Sequence, residues 1–391
     1  HIHQHPELDF SAMPSHNIII STQNYPPAAG GIQNYMHELA LALHQLGNTV
    51  HVICDAPTVD GQDLFDNELA FSVKRLSGPK ILRRYRKAHK VSSQLKKLNQ
   101  PILICDSWKS LELLNTEKLT NTYCICIAHG MEFPAQLEAK KQQRITKTLA
   151  RADLILANSA FTAQRAKPYT PDFTRLHTLH PGVNPPIQAN SHEQAKAKSW
   201  LGEHTPILIT VGRIEARKGQ DKIIEIMPKL LAEYPNALYL IAGSGPLQDS
   251  LVARVKELGL GANVKFCGRV SDGERSALLQ NADVFAMPCR AVGDSVEGFG
   301  IVYIEAAMLG LPSLAGRVGG AGDAVIDGQT GLLCDGDSED DIYLNINKML
   351  GDQQALANMG QRALQRAQTE LQWPQIAKKL LGYVAEQQVA N

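Results

Sequence analysis

At 391 residues the chain is long enough for about two domains. Its 44% hydrophobic content and formal charge of zero describe a soluble globular protein with ample core. No apolar run approaches the roughly 20 residues that span a bilayer, and no secretory apolar segment follows the start. Residues 1–12, His-rich with Pro6, read as a leader or tag remnant ahead of a candidate initiator, Met13. Seven cysteines without CxxC spacing set aside a disulfide framework or a zinc site. Cys54, Cys105, Cys124, Cys126 and Cys267 fall in apolar runs and are expected in the core, which favours a reducing cytoplasm. The charge is unevenly spread: residues 1–190 hold 20 Lys+Arg against 15 Asp+Glu, and the remainder 19 against 24.

Short β-branched runs alternate with helical patterns from end to end. In the first half the expected strands are Asn17–Ser21, Thr49–Cys54, Phe71–Leu76, Pro101–Cys105, Tyr123–Ala128, Asp153–Ala157 and Arg175–Leu179. In the second they are Pro206–Val211, Ala237–Ala242, Val264–Cys267, Val284–Met287, Ser313–Ala315 and Gly331–Cys334. Near-continuous apolar strands between helices predict parallel sheets covered on both faces. Pro181-Gly182-Val183-Asn184-Pro185-Pro186 interrupts the pattern halfway and reads as a linker between two doubly wound α/β domains. Their ligands belong at the strand carboxyl ends.

Candidate residues follow in chain order. Gly30-Gly31 at a strand-to-helix turn permits close backbone approach to a phosphate or an acceptor, or is simply a tight turn. Residues 80–97 carry a basic, partly amphipathic helix that suits an anionic membrane surface or a solvated face. Nucleic acid is disfavoured, because aromatic residues hardly interleave the charges. His129-Gly130 ends a strand, where an imidazole can donate to a sugar hydroxyl or move a proton, or serve structure alone. Arg213 and Lys218, five apart across a Gly-flanked turn, can converge on a diphosphate, with Arg217 between them facing solvent. Gly243-Ser244-Gly245-Pro246 is a tight turn expected to expose amides. The backbone of Arg269-Val270 can edge a nucleobase; Asp272 can accept from guanine or cap the next helix.

The richest stretch is Val296-Glu297-Gly298-Phe299-Gly300-Ile301-Val302-Tyr303-Ile304-Glu305. It reads as a loop entering a helix near Phe299, with bare amides at the helix start and carboxylates at Glu297 and Glu305. Carboxylates take hydroxyls and amides take an anion, so a sugar nucleotide fits; a solvated Glu pair is the alternative. Asp335-Gly336-Asp337 matches an acidic metal motif, but Ser338 and Asp341 make it a helix start. No metal site is expected. Trp373 and the stripe Ile376, Leu380, Leu381 and Val384 read as core.

Taken together, Gly30-Gly31-Ile32, His129-Gly130, Gly212-Arg213 with Lys218-Gly219, Gly243-Ser244-Gly245-Pro246 and the Glu297/Glu305 pair resemble the retaining glycosyltransferases of family four. The resemblance covers about Ile18 to Val384. It implies the GT-B fold: two Rossmann-like doubly wound parallel-sheet domains facing across a cleft, with a C-terminal helix crossing back to the N-terminal domain. The divisions it implies are 13–183 for acceptor binding, 184–370 for the nucleotide sugar, and 371–391 for that helix. By the same resemblance Arg213 and Lys218 neutralise the donor diphosphate and Glu305 binds the ribose. Glu297 and the amides of Phe299, Gly300 and Ile301 hold the transferred sugar, His129 reaches that sugar, and Gly31 lies beside the phosphates. No cofactor or metal is implied.

The C-terminal half looks most like the phosphatidylinositol mannosyltransferase branch, which implies GDP-mannose and a lipid acceptor. Ala321-Gly322-Asp323 departs from that branch, which usually has a proline and a glutamate there, and the N-terminal half matches loosely. The expectation is therefore a hexosyltransferase using a GDP-sugar, best mannose, on a glycolipid or polysaccharide precursor. It is expected in the cytoplasm, peripheral on the inner face of the membrane. The alternatives are a UDP-sugar donor such as UDP-glucose or UDP-GlcNAc, an epimerase or hydrolase on the same fold, and a membrane-docking scaffold without turnover.

Overall fold

The computed structural model describes residues 14–56, 60–133 and 136–390, so the leader and Met13 lie outside the described residues. It contains two compact α/β units. Unit 1 runs to Asn158, continues over Thr162–Gly182 and ends with Trp373–Asn391; unit 2 holds Val183–Gln372 and Ser159–Phe161.

All thirteen expected strands are present. Unit 1 holds β1 (Asn17–Ser21), β2 (Thr49–Asp55), β3 (Ser72–Leu76), β4 (Ile102–Cys105), β5 (Tyr123–Ala128), β6 (Leu154–Ala157) and β7 (Leu176–Thr178). They form one parallel sheet in the order β3-β2-β1-β4-β5-β6-β7. Unit 2 holds β8 (Ile207–Val211), β9 (Leu238–Ala242), β10 (Val264–Gly268), β11 (Val284–Met287), β12 (Ser313–Gly316) and β13 (Gly331–Cys334). Their order is β10-β9-β8-β11-β12-β13, again all parallel. The strand order reverses beside β1 and beside β8, so the carboxyl ends of β1 and β4, and of β8 and β11, open the crevices where doubly wound sheets bind ligands.

The physical reason is plain in the central strands. Ile18, Ile19 and Ile20 are all fully buried, as are Leu208 and Ile209. Such residues cannot alternate with polar ones, because helices cover both faces. The seven cysteines are free thiols, and all but the half-buried Cys267 are buried.

Two expectations change. The basic segment forms the helix Lys80–Leu95, but Arg83 and Lys87 both bind Asp55 at 2.9 Å, and Arg84 binds Glu112 at 3.0 Å. These three cations therefore tie the helix to its own unit. Lys87 is buried and also donates to the Thr22 carbonyl. What the helix shows to solvent is Ile81 (71% exposed), Leu82 (60%) and Tyr85 (60%), beside exposed Lys80, Arg86 and His89.

The second change concerns Asp272. Ser271 and Glu274 form the capping box of the helix Asp272–Gln280, so Asp272 is not needed as its cap. The acidic segment near Asp335 does behave as a helix start: Ser338 Oγ accepts the Asp341 amide at 3.1 Å. Among the described residues no helix is long and apolar enough to cross a membrane.

The last helix, Trp373–Ala390, belongs to unit 1, where it packs on the helix Gly31–Gln45. Trp373, Ile376, Leu380, Leu381 and Val384 are its buried stripe. Leu380→Ala should cost unit 1 about 2–5 kcal/mol. Urea unfolding followed by tryptophan fluorescence checks this, since Trp108 and Trp373 both lie in unit 1; an unmoved midpoint would mean that this helix is not part of the unit's core.

Candidate functional site

In unit 2 the carboxyl ends of β8, β9, β10 and β11 are joined by loops packed backbone to backbone. Past Val211 the chain dips so that Ile214 is fully buried. Its N–H donates to the Ser244 carbonyl at 3.1 Å, and its carbonyl accepts from Leu247 at 3.2 Å. A Cβ on Gly243 would land on the Gly212 carbonyl, and one on Gly245 would meet the Ile214 backbone. These glycines thus exist for loop contact. The Gly243 amide is itself spent on the Gly268 carbonyl at 2.7 Å, so the expected open amide is absent at this residue.

A short turn, Ala216–Lys218, follows, and Gly219 reverses the chain at φ 83 into the helix Gln220–Glu233. This turn presents the cations. Lys218 Nζ lies 2.5 Å from Glu297 Oε2, and Arg217 Nη1 lies 2.9 Å from the same oxygen. Arg217 was expected in solvent; instead it bridges Glu297 and Glu215, with only a fifth of its side chain exposed. Arg213 is the outward residue, 69% exposed and 3.6 Å from Glu215. The difference comes from Ile214, whose burial fixes the sense of the turn.

Burial opposes charge on Glu297, but the Lys218 ammonium and then the Arg217 guanidinium hold its carboxyl below the ordinary value. Cys289 Sγ stands 3.9 Å from the same oxygen, and burial with the Glu297 charge pushes that thiol up to about 11. The Glu297 backbone is fixed too: its carbonyl accepts the Gly320 amide at 2.8 Å, and side chains on Gly319 or Gly320 would strike the carbonyls of Glu297 and Gly298.

The following helix is Ile301–Ala307, two residues later than expected. Gly300 sits at φ 88, in the left-handed region, and delays the start. A Cβ there would also meet the ring of Tyr303, whose hydroxyl donates to the Met287 carbonyl at 2.5 Å. Phe299 is buried. One turn into the helix, the partly buried Glu305 lies 3.8 Å from Arg275, and Arg275 pairs with Asp272 at 3.1 Å. Burial raises the Glu305 carboxyl, with Arg275 opposing. Arg269 is exposed at the end of β10 and donates to Ser244 Oγ at 3.3 Å, with half-buried Val270 next to it. Arg217 was placed in solvent from the sequence, and Arg275 and Cys289 were not singled out there; only their nearness to Asp272 and to the expected strand Val284–Met287 marked them.

Unit 1 carries its own constellation. His129 follows β5; its amide donates to Glu132 at 2.8 Å, and its carbonyl accepts from Asn158 at 3.1 Å. The ring lies edge-on to Tyr35, with centroids 5.1 Å apart. Burial lowers its pKa against the pull of Glu132 and Asp106, so the imidazole is neutral near pH 7. Nε2 is buried without a hydrogen-bond partner. Gly30 precedes the helix Gly31–Gln45, and a Cβ on Gly31 would meet nothing within 4 Å. Neither packing nor a left-handed backbone requires glycine at 31, so it leaves a bare helix start.

The model for glycosyl transferases group 1 matches residues 191–366, and the model for glycosyltransferase family 4 matches residues 29–186. The chain is 30% identical over 369 residues to a GDP-mannose-dependent alpha-(1-6)-phosphatidylinositol monomannoside mannosyltransferase of Mycolicibacterium smegmatis. That match covers 91% of this chain and 95% of the relative. The chain belongs to the family-four glycosyltransferases. A Corynebacterium glutamicum mannosyltransferase acting on the monoacylated monomannoside is 28% identical, with 92% of this chain and 94% of the relative covered. Among solved structures, Anabaena Alr3699/HepE in complex with UDP superposes with a TM-score of 0.76 at 20% identity, covering 95% of this chain and all of that one. The fold of the glycosyltransferase is accordingly GT-B.

Within unit 2 of the glycosyltransferase, one carboxylate oxygen pairs with two cations, so an anion approaching this turn would compete with it. Glu297→Gln should therefore bind inorganic pyrophosphate at least about threefold more tightly, or ~0.7 kcal/mol, by calorimetry. Equal or weaker binding would show that Glu297 does not hold these cations in reserve.

Proposed function

We propose that the glycosyltransferase moves a hexose, best mannose from GDP-mannose, to a membrane-associated glycolipid or polysaccharide precursor, with retention and without a metal. The observation that carries this reading is the buried convergence of Lys218 and Arg217 on Glu297 beside a helix start. When the donor enters, its diphosphate takes the Lys218 and Arg217 cations, and the outward Arg213 closes on it bidentately. Glu297 then turns its carboxylate to the sugar hydroxyls, and the backbone of Phe299, Gly300 and Ile301 borders the same sugar. Glu305 takes the ribose hydroxyls beside Arg275. In unit 1, Gly31 leaves a bare helix start that an anionic group can approach, and the neutral His129 presents its unpartnered Nε2 to a hydroxyl.

Chemically, the acceptor hydroxyl attacks the anomeric carbon on the face the diphosphate leaves. The bond from that carbon to the phosphate oxygen breaks as the new glycosidic bond forms, and the acceptor proton passes to the departing diphosphate. Negative charge grows on the leaving group, so fixed cations there lower the barrier. GDP is favoured over UDP by Asp272. Released from capping, its side chain is 59% exposed and can accept guanine's two adjacent donors, where uracil offers one. The Mycolicibacterium relative is named for GDP-mannose, in agreement. A UDP-sugar donor is the second reading, prompted by the UDP complex of the Anabaena protein.

For the acceptor side, the apolar trio Ile81, Leu82 and Tyr85, with Lys80 and Arg86 beside it, suits insertion into an anionic lipid surface. The inward cations Arg83, Arg84 and Lys87 anchor the helix that carries this trio.

In a transfer assay offering GDP-mannose, UDP-glucose and UDP-GlcNAc, GDP-mannose should be consumed fastest. Lys218→Ala should reduce turnover at least ~10²-fold, the scale for losing one fixed electrostatic contact. Parental rates in that variant would remove the assignment, and sugar release without an acceptor would indicate a hydrolase. In flotation with anionic vesicles, changing Ile81, Leu82 and Tyr85 together to Ser should abolish binding. Unchanged flotation would exclude the helix as a membrane contact.

A further inference from the structure

We propose that Arg290 is a positioning residue that grips the cationic turn at both ends and thereby sets where the Lys218 ammonium stands. The inference rests on the donor-site reading above. Arg290 follows Cys289 in the loop after β11. Its main-chain N–H donates to the Arg217 carbonyl at 3.0 Å. Its guanidinium meets Asp221, in the first turn of the helix Gln220–Glu233, through two bonds of 2.9 and 2.7 Å. Nε lies 3.9 Å from Asp337. Lys218 therefore sits between two points, Arg217 and Asp221, that are both tied to one residue 69 positions away from Asp221.

Three features make this a device for placement rather than a surface ion pair. The Arg290 side chain is only 12% exposed, so water competes weakly for it. A two-pronged guanidinium–carboxylate bond fixes direction as well as distance, which a lysine at 290 cannot do. The segment between the two grips has no slack, because a Cβ on Gly219 would run into the Pro288 carbonyl. Pro288, Cys289 and Arg290 thus form a mould: Pro288 against Gly219, Cys289 beside Glu297, and Arg290 across the turn. An ammonium held in advance stabilises the charge growing on a leaving diphosphate without reorganising first. One that must settle loses this benefit mainly in the transition state, hence in kcat more than in donor KM.

The test is steady-state transfer by Arg290→Met, Arg290→Lys, Arg290→Asp and the exchanged pair Arg290→Asp with Asp221→Arg, each with its melting temperature. Arg290→Met and Arg290→Lys should lower kcat about tenfold or more, with donor KM within about threefold. The exchanged pair should recover several-fold of the kcat lost in Arg290→Asp. Parental kcat in Arg290→Met, or a loss that the exchange does not recover and that only follows the melting temperature, would overturn the proposal. If the parental protein bound neither GDP nor UDP by calorimetry, the donor-site reading would fail separately. The crystal structure of Arg290→Met would then decide the clamp: Lys218 shifted from its place beside Glu297 upholds it, and an unmoved Lys218 ends it.

Discussion

Two cations sharing one carboxylate oxygen are the constraint on which unit 2 turns. Lys218, Arg217 and Glu297 are each largely removed from water, and a buried charge without its counterpart is costly. The three must stay paired with something. In the structure they are paired with each other, which keeps the turn and the approach to the helix Ile301–Ala307 in register. A ligand carrying its own anion and its own hydroxyls can replace both sides of that bargain at once. The cations gain a diphosphate, the carboxylate gains hydroxyl donors, and no buried charge is stranded at any point. On the proposed reading the same arithmetic would make the site selective: an anion without hydroxyls leaves Glu297 unpaired, and a neutral sugar leaves the cations unmoved.

The rest of unit 2 serves to hold that arrangement still. Glycines at 212, 219, 243, 245, 319 and 320 lie where loops meet backbone to backbone, and at several of them a single methyl would strike a carbonyl. Tyr303 plugs the space beneath the helix start, bonded to Met287 and 3.3 Å from Cys289. The effect is a rim of loops with little freedom, on a sheet whose central strands are buried on both faces. Unit 1 is built on the same plan with different contents. Around β1 and β4 it buries a polar cluster, Thr22, Asp106, Ser110 and Lys87, in which Asp106 accepts from Thr22, Gln23 and Ser110. His129, close enough to feel the Asp106 charge, shares that setting.

The fold was legible because parallel central strands must be apolar throughout, a pattern visible in Asn17–Ser21 and Leu238–Ala242 without any tertiary information. The site was legible in its residue types and less so in its directions. Arg213 and Arg217 stand four apart in an irregular turn, and only the burial of Ile214 decides which one faces Glu297. The helix start moved from Phe299 to Ile301 because Gly300 takes a left-handed backbone there, a choice tied to the Tyr303 ring beside it. The charges of residues 80–97 looked like one basic face. Their division into inward and outward sets depends on Asp55 and Glu112, which lie 28 residues from their partners Arg83 and Arg84. Arg290 and Asp221 carry no motif at all, and their pairing follows only from the sheet placing β11 beside β8.

A crystal structure of the protein with an intact nucleotide sugar tests the central claim most directly. The account predicts Lys218 Nζ about 3 Å from a phosphate oxygen, its bond to Glu297 broken, and the Glu297 carboxylate on a hydroxyl of the sugar. A bound donor that leaves the Lys218–Glu297 pair closed, with its diphosphate held elsewhere, would contradict it.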